Sequence, residues 1–114
     1  YKVWQDAVAY ATEIYKVTTE MPWLEKKGLC DQLQRAAVSI SSNIAEGAAK
    51  PSELEFAKFL DTALGSAFEV ETQLTIANNV SYVNNELFNQ LLTALFEIEK
   101  QLNGLIHTLR SKES

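Results

Sequence analysis

The stretch RAAVSISSNIAEGAA, Arg35 to Ala49, decides how the chain folds. It is rich in Ala, Ser and Gly and holds a single Arg, Asn and Glu, in a chain otherwise made of larger apolar and charged residues. Three readings compete: a catalytic loop, a phosphate cradle, or a helix face made to lie close against another helix. The spacing selects the third. At about 100° per residue, Leu29, Leu33, Ala36, Ile40 and Ile44 gather on one side, and Arg35, Ser39, Ser42, Asn43 and Glu46 on another. One face feeds a core; the other presents small or hydrogen-bonding groups. The chemical readings fail on pattern. AEGAAKPS lacks the G-x-x-x-x-G-K-[ST] spacing of a phosphate loop, and Ser39, Ser41 and Ser42 lie mid-helix without a G-x-S-x-G elbow.

Helical periodicity continues on both sides, and no run alternates with period two for long enough to form a strand. The first helix is expected from about Tyr1 to Thr18, with Trp4, Val8, Ala11 and Tyr15 as its seam and Pro22 ending it. In the link TTEMPWLEKKG, Met21, Trp23 and Leu24 are expected to plug one end of the core. Met21 and Trp23 read equally well as cover for a subunit contact. The second helix begins near Gly28, and Gly47 is placed as its left-handed C-cap. Pro51 and Ser52 open the third, where Ser52 and Glu55 make an S-x-x-E capping box. Its seam is Phe56, Leu60, Ala63, Ala67, Val70 and Leu74. NNVSYVNN then supplies Asn-rich turn chemistry, and Leu91, Leu95, Ile98, Leu102, Leu105 and Leu109 repeat the rhythm in a fourth helix. The connections are short, so the expectation is an all-α, antiparallel up-down-up-down four-helix bundle, a single domain over residues 1–114.

A length of 114 residues suits one domain. The hydrophobic share of 46% and charged share of 22% are those of a soluble globular protein, and no apolar run is long enough to span a bilayer. One cysteine, Cys30, allows no intrachain disulfide. At the amino end no basic region leads into an apolar one, and together these features lead us to expect a cytoplasmic protein. The net charge of −5 has the wrong sign for an unaided nucleic-acid binder. Lys26, Lys27, Arg35, Lys50 and Lys58 share one third of the chain and are the only candidates for a local basic patch; scattered solubilising charges are the preferred alternative.

Catalytic and metal chemistry find little to stand on. His107 is the only histidine and sits beside the leucine seam, where packing or surface exposure is the ordinary role. Di-iron bundles need Glu-x-x-His pairs from two helices, so no metal and no cofactor is expected. Cys30 reads as a buried structural thiol, and Trp4, Tyr15 and Trp23 as core or end-plug aromatics rather than base-stacking platforms. The third helix carries a second polar stripe of Glu55, Thr62, Ser66, Glu69 and Gln73, with Gly65 beside it. Arg35, Ser39, Asn43, Glu46, Ser66 and Glu69 are therefore the candidate helix-packing or subunit-interface residues. Arg35 is expected to pair with Glu69 or Glu46, within the chain or between chains.

Three segments, VWQDAVAYATEIYKVT, GLCDQLQRAAVSISSNIAEG and FLDTALGSAFEVETQLTIA, carry a resemblance. Together they resemble the four-helix bundle proteins encoded in 23S rRNA intervening sequences, also called the S23 ribosomal protein family. The likeness runs from Val3 to about Tyr82 and is most specific at R-A-A-V-S-I-x-x-N-I-A-E-G. Two positions depart from the family pattern: Gln34 stands where the first of two arginines is usual, and Ser41 where a proline is usual. The resemblance implies a homopentamer without established enzymatic activity. It also implies likeness to the accessory variability determinant of diversity-generating retroelements, a pentamer that works with a reverse transcriptase and contacts nucleic acid through a basic surface. Two expectations follow. The first is a non-enzymatic, self-assembling bundle that presents a repeated surface to a partner, with no small-molecule substrate. The alternative is a nucleic-acid or reverse-transcriptase accessory using Lys26, Lys27, Lys50 and Lys58.

Overall fold

The computed structural model describes residues 1–112. It consists of α1 (Lys2–Thr19), a short 3-10 turn (Trp23–Glu25), α2 (Leu29–Ala48), α3 (Glu53–Asn79) and α4 (Asn85–Lys112). Among the described residues there is no strand. A 28-residue helix is about 42 Å long, so α4 nearly spans the longest dimension of 48 Å.

Pairs of residues that meet across the seams show that each helix runs against its neighbours. Gln34 Nε2 donates to Thr18 Oγ1 at 2.9 Å while Trp4 lies beside Ile44 and Ala48, which sets α1 against α2. Ser39 bonds Ser66 while Gly47 meets Phe59, which sets α2 against α3. Asp61 pairs with Arg110, and Asn78 Nδ2 donates to Asn85 Oδ1 at 2.9 Å, so α4 returns along α3. The circuit closes where Tyr10 Oη donates to the Leu91 carbonyl at 2.9 Å and Gln101 Nε2 to Asp6 at 2.8 Å. Among the described residues the contacts run α1–α2–α3–α4–α1 with none across the diagonal, closest between α2 and α3 and sparsest between α1 and α4.

The α2–α3 seam is tight because its side chains are small: Ala36, Ala37, Ala57, Ala63 and Ala67 are all buried there or in the core beside it. The expected third-helix seam from Phe56 to Leu74 is buried throughout. Ser52 Oγ accepts the Glu55 N–H at 3.1 Å, the N-cap bond expected at that boundary. Asn84 Oδ1 does the same for Leu87 N–H at 2.8 Å and starts α4. Between them Ser81 takes φ 68° inside the Asn-rich turn.

Four expectations require correction. In α1 the buried stripe is Val3, Ala7, Tyr10, Ile14 and Val17, joined by Ala11, while Trp4, Val8 and Tyr15 are exposed. The helix carries two apolar stripes, and the one with smaller and branched side chains at the contact lets α1 settle against its neighbours. Gly47 is no left-handed cap, for α2 continues through it to Ala48 and no glycine has positive φ. Trp23 and Leu24 do not plug the core: each is over three-quarters exposed, and Met21 alone is buried. In α4 Ile106 is buried and Leu105 only partly so, a shift of one position within the same stripe. Among the described residues no helix is long and apolar enough to cross a membrane.

Candidate functional site

The residues singled out at the α2–α3 seam divide into two sets. Ser39 Oγ and Ser66 Oγ share a 2.8 Å hydrogen bond. Asn43 Nδ2 donates to the Ser39 carbonyl at 2.8 Å and to Ser39 Oγ at 2.9 Å. These three satisfy one another inside the helix contact, where small side chains bring the backbones together. Arg35, Glu46 and Glu69 stay exposed. Within the chain Arg35 is corrected in its partner: its Nε lies 3.0 Å from Asp31 one turn back on the same helix, not on Glu46 or Glu69. The Arg35 side chain is 79% exposed, so the pair contributes little. Arg35, Glu69 and Gln73 rim a shallow polar hollow over Ser39 and Ser66, in which Gln73 Oε1 is buried without a hydrogen-bond partner.

The lysines do not form one patch within the chain. Lys26 and Lys27 precede α2 and Lys50 follows it, so a helix of 20 residues, about 30 Å, separates them. Proximity in sequence misled because α2 carries the chain from one end of the bundle to the other. The Lys26 ammonium lies 4.4 Å from the centre of the exposed Trp23 ring and that of Lys50 5.1 Å from the Phe59 ring, both cation–π contacts. Lys58 is exposed on α3.

The thiol is placed as a structural group. Cys30 is buried between Thr18 and Met21, its Sγ 3.6 Å from the Thr18 carbonyl, and burial raises its thiol pKa. His107 is exposed. Among the described residues no group of three or more His, Cys, Asp or Glu is placed to hold a metal ion.

The most distinctive surface is one that the periodicity had assigned to the core. Trp4, Val8 and Tyr15, spaced 4 and 7 apart, line the flank of α1 that faces α2, and they are 42%, 39% and 48% exposed. Trp4 lies in a shallow hollow with Tyr1, Ala45 and Ala48, and Val38, one heptad before Ala45, extends the face along α2. On α1 the polar residues beside them, Gln5, Thr12 and Thr19, are uncharged, while on α2 the exposed Asp31–Arg35 ion pair borders the face, Asp31 one heptad before Val38 and Arg35 one heptad before Ser42. Across the bundle Phe68 and Phe96 are also about half exposed. Phe68 falls one heptad after Asp61 and Phe96 two heptads before Arg110, the ion pair that joins α3 to α4, so both lie on the α3–α4 side. That side is opposite the α1–α2 side in the helix circuit. Aromatic enrichment and depletion of charge are the marks of an interface core, and contiguous exposed apolar surface is the mark of an interaction site. The sequence signal was present in the second apolar stripe of α1, but a helical wheel does not say which of two stripes faces inward.

Comparison with known proteins agrees with this architecture. The model of the 23S rRNA-intervening sequence protein family matches residues 1–104. Among solved structures, a protein of unknown function from the S23 ribosomal protein family of Bacteroides thetaiotaomicron superposes with a TM-score of 0.81. It is 28% identical, over 91% of this chain and 97% of that one. No curated protein matches the chain.

Proposed function

This chain belongs to the 23S rRNA-intervening sequence protein family, and from that premise we propose that it is a non-enzymatic, self-assembling bundle, a homopentamer that presents a repeated surface to a partner. The observation that carries this reading is the exposed apolar face of Trp4, Val8, Tyr15 and Val38, set opposite Phe68 and Phe96. A face on one side that meets a different face of the next copy makes a heterologous contact, the kind that closes into a ring when the rotation permits. The α2–α3 stripe takes a smaller part than its composition suggests, because Ser39, Asn43 and Ser66 already bond within the chain. Arg35, Glu46 and Glu69 remain available at its edge.

The nucleic-acid accessory reading has less beneath it. The net charge is −5 and the lysines stand at opposite ends of α2, so a basic surface would have to arise from the alignment of several copies. Native mass spectrometry together with sedimentation velocity at micromolar concentration tests the leading reading. The expected result is a five-subunit mass without a bound cofactor; a monomer at that concentration overturns it.

A further inference from the structure

The sparsest of the four seams, between α1 and α4, opens as a groove of about 410 Å³. Its floor is apolar, with Ala9 and Tyr10 from α1 and Leu91 and Ala94 from α4. The paired alanines keep the two helices from filling the space between them. The rim is acidic: Asp6, Glu13 and Glu97 line it, and no lysine or arginine does. Asp6 is engaged at one end by Lys2 at 2.6 Å and by Gln101 at 2.8 Å. Neither Glu13 nor Glu97 makes a direct ion pair among the described residues, although Lys2, held by Asp6, also feels the Glu97 charge.

We propose that this groove receives a cationic amphipathic helix of a partner protein. The groove follows α4 from Leu87 to Ile98, about 16 Å or three helical turns, which accommodates apolar anchors at i, i+3 or i+4, and i+7 of a docked helix. Lysines or arginines flanking those anchors would meet Glu13 and Glu97, and an overall charge of −5 favours the encounter. The same rim repels nucleic acid and acidic segments. The occupant is not a helix of this chain, since each of its four helices carries at least one Asp or Glu on its exposed face and none is basic along its length. The groove lies between the α1–α2 and α3–α4 sides, so self-association through those sides leaves it open. This inference does not depend on the number of subunits.

The test is titration of the full chain with a synthetic Leu/Lys amphipathic peptide of roughly 18 residues, about five turns of helix, followed by fluorescence anisotropy. Circular dichroism melts and native mass are read on every variant. Saturable binding is expected, weakened about tenfold or more by Glu13→Lys with Glu97→Lys, and equally by Ala94→Trp, which fills the floor without altering charge. A control pair on the far side, Glu53→Lys with Glu55→Lys, should change affinity less than about twofold, and a Leu/Glu peptide should not bind. Equal weakening by both lysine pairs would reduce the effect to general acidity and overturn the proposal, as would binding of the Leu/Glu peptide. Binding that appears only after Lys26→Glu and Lys27→Glu would mean that the exposed Trp23–Lys27 tip of a second copy occupies the groove, and would overturn it too.

Discussion

Gly47 of α2 and Phe59 of α3 are in closer contact than any side chain at position 47 would permit. A Cβ added there would stand 2.6 Å from the Phe59 Cβ and 3.0 Å from the Phe56 Cδ1. Gly47→Ala should therefore force the helices apart and destabilise the fold by about 1–3 kcal/mol through overpacking, less the ~1 kcal/mol that Ala gains in helix propensity. Gly65, in the middle of α3, has nothing within 4 Å of such a Cβ, so Gly65→Ala should stabilise by about 0.5–1 kcal/mol. Urea unfolding of the two variants checks the pair; a gain in both would mean that the α2–α3 contact yields without strain.

The Tyr10 hydroxyl crosses the loosest seam to the Leu91 carbonyl at 2.9 Å, from a ring that is 5% exposed. Burial raises its phenol pKa, with the nearby Glu99 charge adding to the effect, so the hydroxyl remains a donor at neutral pH. Tyr10→Phe keeps the packing and removes the bond, at a cost of about 1 kcal/mol. A fall of roughly 4 °C in Tm corresponds to that loss in a domain of this size. An unchanged Tm would show that this bond adds nothing net to the seam.

Glu99 on α4 is partly buried beside Glu71 on α3, and its Oε2 has no hydrogen-bond partner. Burial first, and the Glu71 charge second, raise its carboxyl above the ordinary value. A carboxyl raised in the folded state binds its proton more readily there than in the unfolded chain, so stability falls as pH climbs through the unfolded value of about 4.5 and past the folded one. Glu99→Gln should be more stable than wild type at pH 7 and lose the advantage below pH ~4. Parallel melts from pH 3.5 to 7.5 would reveal it; curves that never diverge remove the repulsion from consideration.

The bundle was legible because most of its seams are written in large side chains with a regular rhythm. The seam from Phe56 to Leu74 faces inward throughout, that from Leu91 to Leu109 does so at every position but Leu105, and Ser52 with Glu55 marked the start of α3 with a bond that the structure makes. The stripe on α2 was legible as a close-packing surface for the same reason that Ser39 and Ser66 now touch. Where the reading failed, two physical solutions shared one pattern. Trp4 and Tyr15 are as periodic as Val3 and Ile14, and only the positions of α2 and α4 choose between them. Arg35 was expected on Glu69 or Glu46, and within the chain Asp31, one turn back on its own helix, holds it instead. Arg35→Ala should accordingly change stability by less than about 0.5 kcal/mol. The acidic groove left no trace in sequence, since Glu13 and Glu97 are 84 residues apart and meet only through the closing of the circuit.

Ile14 and Tyr15 are adjacent in α1 yet belong to opposite stripes, one fully buried and the other 48% exposed. Ile14→Ala should cost about 2–5 kcal/mol of folding stability, because it opens a cavity at the centre of the helix contact. Tyr15→Glu with Trp4→Glu should leave the fold of the single chain nearly unchanged, since neither side chain fills the core. The pair places two charges among the exposed apolar side chains of α1, and burying them against another copy would require their desolvation. Assembly should fail while the helical signal persists, and the unfolding midpoint should lose its dependence on protein concentration. Sedimentation velocity with circular dichroism separates the outcomes. A variant that still sediments as an oligomer would place the subunit contact elsewhere, and one that unfolds outright would return Trp4 and Tyr15 to the core.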